Sequence, residues 1–160
     1  MAWKLRENSN LQSPQSQNWS PWMLAMVPSH NPNRRKGLEQ RGPRQEGCMV
    51  SNIMNIDDLC GIYEWRATRS DRLPSVVYVG STCTRRGVCD LMGSRIIKYC
   101  KYGNHKKNHI NDALGRGYEL EVRYKPAANE EDARAQENEL LAMYNYAWNV
   151  RKNVGTREIL

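Results

Sequence analysis

In the stretch NEEDARAQENELLAMYNYAW, a helical period places Ala133, Glu137, Leu140, Leu141, Tyr144 and Trp148 on one stripe, with the Glu137 carboxylate at its centre. A lone carboxylate turned toward a core is penalised by desolvation, which raises its pKa by roughly 3 to 5 units unless a cation or donor faces it. A structural salt bridge would satisfy Glu137, and so would a divalent metal ion held in a cleft. Arg95 poses the same kind of question. It sits beside Ile96 and Ile97 on a helix, either as a surface side chain whose stem covers apolar atoms or as a bidentate clamp for phosphate. His105 and His109 are spaced to share a helix face, but the spacing of Cys83 and Cys89 fits no common zinc finger, so zinc is not favoured.

The elements that must position these groups can be read from the pattern. Ile62–Trp65 and Val76–Val79 are β-branched and aromatic and predict two strands, with RLPS supplying a turn. GVCDLMGSRIIKYCKYG predicts a helix ended at Gly103, and HKKNHINDALGRG a second, ended at Gly115 or Gly117. YELEVRYKP alternates as a half-buried strand stopped by Pro126, and Asn129 is a candidate N-cap for the last helix. The expectation is an α+β domain over residues 53–160, a small antiparallel three-stranded sheet flanked by helices. Residues 1–52 are rich in Ser, Pro, Asn and Gln and are expected to form a disordered basic tail, in which NWSPWMLAMVP is a stray apolar patch or a docking segment.

The formal charge is +7, and it is unevenly placed. Arg66 to Lys107 holds ten basic and two acidic residues, a net +8, whereas Asn108 to Leu160 has a net charge of −2. A block of this kind suits a polyanion. The candidate contacts are Arg66, Arg69, Arg72, Arg85, Arg86, Lys98, Lys101, Lys106 and Lys107. No apolar run reaches the roughly 18 residues of a membrane span and the start lacks a signal-peptide pattern, so an intracellular protein with no membrane partner is expected. Five cysteines without a secretory signal argue against a disulfide framework.

The order GIY (Gly61–Tyr63), YVG (Tyr78–Gly80), Arg95, His105, Glu137 and YNYAWN resembles the GIY-YIG nuclease domain. YCKYGNHKKNHINDALGRGYELEVRYKP and ENELLAMYNYAWNVRKN look more narrowly like the plant effector of transcription proteins. The resemblance implies an endonuclease-type domain acting on DNA with one divalent ion, magnesium or manganese, and a nuclear role in transcription regulation, with a cytoplasmic location as the alternative. It implies Tyr63 as general base, its pKa lowered by basic surroundings, Tyr78 as the group holding water and phosphate, and Glu137 as the metal ligand. Arg95 would clamp the phosphate, with Arg85 or Arg86 as competing assignments. The terminal asparagine matches Asn149, with Asn145 as its competitor, and His105 matches a histidine of many members. The alternative of another class is a catalytically inactive nucleic-acid-binding regulator that retains the fold.

Overall fold

A computed structural model of the chain describes residues 6–7, 18–28, 47–83, 91–103 and 106–149. Its elements in chain order are β1 (Arg6–Glu7), β2 (Met23–Met26), α1 (Val50–Ile53), β3 (Gly61–Arg69), β4 (Arg72–Thr82), α2 (Met92–Tyr102), α3 (Lys107–Gly115), β5 (Glu119–Pro126) and α4 (Glu130–Met143). The α+β class is as expected, but the antiparallel sheet has five strands rather than three, in the order β1-β4-β3-β5-β2.

The additional strands come from the region read as a tail. Met23 pairs with Val122 and Met26 with Leu120, so β2 covers the edge that β5 would otherwise expose, and Ala25 and Met26 enter the core. NWSPWMLAMVP, read as a stray apolar patch or a docking segment, lies against the chain's own sheet through β2. Burial of its apolar residues is enough to order them against a ready-made sheet edge.

β3 and β4 form one long hairpin in which Gly61 pairs with Thr82 and Arg69 with Arg72. RLPS therefore belongs to β4 rather than to the turn, which falls at Ser70 and Asp71. One face of the sheet carries Tyr63, Trp65 and Ala67 into a core with Met92, Ile96, Tyr99 and Cys100 of α2. The other carries Ile62, Val76 and Val79 against Ala133 and Leu140 of α4 and against Tyr146. Between the pairs Trp65–Tyr78 and Arg66–Val76 the register shifts by one residue. This bulge turns both Val77 and Tyr78 toward the first core.

Gly103 ends α2 in the left-handed conformation at φ 73°, the backbone state that glycine adopts without a Cβ clash. At α4 the Asn129 side chain accepts from the Asp132 N–H at 2.8 Å, the expected cap. That helix stops at Met143, so Tyr144 and Trp148 leave the predicted stripe. Trp148 reaches the first core from a turn beyond the helix instead.

The expectation of no disulfides is overturned. Cys48 is bonded to Cys100 and Cys60 to Cys83, with Cα separations of 5.5 and 4.3 Å, while Cys89 lies outside the described residues. Cell-compartment reasoning weighs the cysteine count, whereas pairing depends on which thiols the fold makes neighbours. Cys60 and Cys83 flank the paired ends of the hairpin, Gly61 and Thr82. In the chain-entropy account, closing loops of these lengths stabilises the fold by about 3 to 4 kcal/mol each.

Candidate active site

Tyr63 lies opposite Gly80 in the hairpin, and Tyr78 opposite Trp65. A Cβ on Gly80 would come within 2.5 Å of the Tyr63 hydroxyl oxygen, so the bare glycine is what lets the phenol lie across β4. α2 supplies a third phenol. The Tyr63 hydroxyl donates to that of Tyr99 at 3.1 Å, and the three tyrosine rings stand with centroids 5.8 to 6.2 Å apart. Tyr99 was missed in the sequence, although its spacing of four from Arg95 puts both on one side of a helix. Arg95 is half-buried, its charge acts on Tyr63 and Tyr99, and its Nε is buried without a hydrogen-bond partner.

The segment after α4 braces this cluster from behind. The Trp148 N–H donates to the Val77 carbonyl at 2.8 Å. The Asn149 side chain accepts from the Val79 N–H at 3.0 Å and donates to the Val79 carbonyl at 2.9 Å. Asn149 thus pins the strand at Val79 and Trp148 pins it at Val77, on either side of Tyr78; Asn145, like Asn149, is half-buried. Lys106 donates from Nζ to the Trp148 carbonyl at 2.6 Å and sits 5.0 Å from the Tyr78 ring centre, which places a cation in the cleft itself. His109 stacks on Trp148 with centroids 5.4 Å apart, and burial, followed by the Lys106 charge, lowers its pKa.

Glu137 is half-buried at the margin of the α4 stripe rather than at its buried centre, and its negative charge is felt by Tyr78. No group of three His, Cys, Asp or Glu residues that could hold a metal occurs among the described residues. A hard divalent ion such as magnesium or manganese takes carboxylate, water and phosphate oxygens, and Glu137 is the side chain here that would hold one.

The phenols are not activated in the way expected. Burial first, then the neighbouring Tyr99 and Tyr78, raises the Tyr63 pKa well above the ordinary phenol value, and the Arg95 charge offsets this only in part. Burial, then Tyr99, raises that of Tyr78, with Glu137 adding to the effect, and burial raises Tyr99 as well. Because the folded pKa values lie above the unfolded value near 10, the stabilisation from keeping these groups neutral is complete below that pH. It is lost as pH rises toward the folded values. Denaturant titrations should show little tyrosine-linked change between pH 7 and 9. Above about pH 10 they should show a loss of up to roughly 1.4 kcal/mol per pH unit for each phenol.

The arginines expected beside the cleft are elsewhere. Arg69 is six residues along β3 from Tyr63, about 20 Å away, where it pairs with Asp71 at 2.5 Å and lies over the Tyr118 ring. Arg72 stands at the same tip. Arg66 points to the opposite face, paired with Glu121 at 3.1 Å and stacked on Trp22. Lys98 is exposed and Lys101 half-buried on α2, and Lys107 begins α3. Arg85, Arg86 and His105 lie outside the described residues.

No helix among the described residues is long and apolar enough to cross a membrane. No curated protein and no solved structure gives a significant match. A family model described as GIY-YIG domain-containing protein matches residues 19–159, which takes in β2 together with the tyrosines, Arg95, Glu137 and Asn149. The chain belongs to this GIY-YIG domain family, whose members are typically endonucleases.

Proposed function

We propose that the chain is a divalent-metal-dependent nuclease domain that nicks or cuts DNA by attack of water on a phosphodiester. The observation carrying this is the convergence of Tyr63, Tyr78, Tyr99 and Arg95 in one cluster, with Glu137 close enough for its charge to act on Tyr78. Glu137 would hold the ion, which supplies charge neutralisation at the phosphate and leaving oxygens. The Arg95 guanidinium, with its unpartnered Nε, would bind the non-bridging oxygens of the scissile phosphate. Tyr63 and Tyr78 would orient the attacking water through their hydroxyls. Since Tyr63 keeps its proton at neutral pH in the free protein, its role as base would depend on the positive charge of Arg95 and of a divalent ion held by Glu137 outweighing the burial that raises its pKa. Asn149 is a positioning residue, holding the strand that carries Tyr78.

A nuclear role in transcription regulation, shared with the plant effector of transcription proteins, is the proposed setting. It is supported by the sequence resemblance, and microscopy of a fluorescent fusion tests it. The rival reading is a silent DNA-binding domain. In its favour, Tyr63 is only 2% exposed and its hydroxyl is already engaged with Tyr99. Supercoiled plasmid separates the two. With magnesium or manganese it should give nicked product, lost in Tyr63→Phe and Glu137→Gln. DNA binding without any product supports the silent reading, and product undiminished in the Glu137 variant rules out the assigned site.

A further inference from the structure

α2 carries an aromatic side chain that neither the core nor the cleft uses. Tyr102 is 42% exposed, whereas Tyr99 on the same helix is buried. At 100° per residue, Lys98, Tyr102 and Arg95 fall within a sector of about 60° on one flank of α2, the flank from which Arg95 reaches the tyrosine cluster. Tyr102 stands seven residues beyond Arg95, a rise of about 10 Å along the axis. That is a reach of one or two nucleotides from a phosphate held by Arg95. Lys101 adjoins Tyr102 in sequence, and after the reversal at Gly103 the chain returns Lys106 to the cleft beside Tyr78.

We infer that Tyr102 is a stacking platform for an unpaired DNA base one or two nucleotides from the scissile phosphate, which directs the site to DNA that is single-stranded there. The inference rests on the nuclease reading for the position of the phosphate. Charge complementarity identifies the occupant: an exposed phenol ring on one helix flank with Arg95 and Lys98, next in sequence to Lys101, suits a ligand that alternates anionic phosphates with flat apolar faces. In an intact duplex both faces of each base are covered by its neighbours, so only an unpaired or displaced base can lie on the ring. A stacked base is worth about 1 to 3 kcal/mol by alanine substitution, which corresponds to roughly 5- to 150-fold in affinity.

The test is fluorescence anisotropy without divalent metal, comparing a labelled single strand with the corresponding duplex. Tyr102→Ala should weaken single-strand binding by about 5-fold or more and duplex binding by less than about 2-fold, and Tyr102→Trp should restore the single-strand affinity. Equal weakening on both ligands, no change on either, or failure of the tryptophan variant to restore binding would overturn the inference. Because Tyr102 is exposed and binding is read without metal, the outcome is independent of cleavage. A wild-type protein that nicks plasmid while Tyr102→Ala binds like wild type removes the platform alone. A wild type that binds neither ligand removes the platform and the nuclease reading together.

Discussion

Arg95→Ala is expected to lower the rate of plasmid nicking by about 10²- to 10³-fold, the loss seen when one preorganised donor to a developing charge is removed. The size of the effect follows from the local environment. The guanidinium is half-buried, its Nε has no partner among the described residues, and it lies beside the Tyr99 phenol rather than beside a carboxylate in any ion pair described. A cationic fork held this way is preorganised for an anion arriving from solvent, and its removal breaks no described salt bridge, so thermal stability should change little. Arg95→Lys should recover only part of the rate, because an ammonium restores the charge without the bidentate geometry. The loss should fall on kcat more than on DNA affinity, to which Lys98, Lys101, Lys106 and Lys107 would also contribute under the proposed reading. An unchanged rate would transfer the role to Arg85 or Arg86.

That Arg95 faces the sheet, beside Tyr63 and Tyr99, was readable from its helix and its apolar neighbours, as was the N-cap at Asn129. Both are local features, set by residues within a turn or two of one another. What the sequence concealed depended on contacts distant along the chain. The three hairpin arginines were grouped as one polyanion-binding block because charge was counted along a line. The strand register instead carries Arg69 and Arg72 to the far tip and turns Arg66 to the opposite face, onto Glu121 and Trp22. The bulge at Val77 and Tyr78 breaks the strict alternation on which strand reading relies. Glu137 was read as the centre of a stripe extending to Trp148. The helix ends five residues short of that tryptophan, so the true buried centre is Ala133 and Leu140 and the carboxylate sits at the margin. That margin suits the proposed metal-holding role, since a fully enclosed carboxylate could not also meet a phosphate from solvent.

The acid that is fully enclosed is Glu64, and Glu64→Ala is expected to destabilise the fold by about 3 to 5 kcal/mol in denaturant titrations. Glu64 has no exposed surface. One of its oxygens accepts from Arg123 Nε and Nη2 at 2.9 and 2.6 Å, and the other accepts from the Tyr146 hydroxyl at 2.6 Å. The Arg123 guanidinium in turn lies 4.3 Å from the Trp19 ring centre and 4.6 Å from that of Trp22, so the segment before β2 covers the pair. Removing the carboxylate alone takes from the buried Arg123 its ion pair and two hydrogen bonds, and from the Tyr146 hydroxyl the acceptor it has in Glu64. Tyr146→Phe, which deletes one charge-assisted hydrogen bond, should lose less, about 1.5 to 3 kcal/mol. Replacing Glu64 and Arg123 together by apolar residues of similar volume should recover much of the loss, because the penalty arises from an unpaired charge rather than from the absence of the pair. Tyr146 stands two residues before Trp148 and three before Asn149, the residues that hold Val77 and Val79. Freed from Glu64, that segment loses its anchor on the far face of the sheet, and Tyr78 loses its brace. Nicking by Tyr146→Phe should therefore fall even at temperatures where the protein remains folded. If activity there is unchanged, the buried acid serves stability alone.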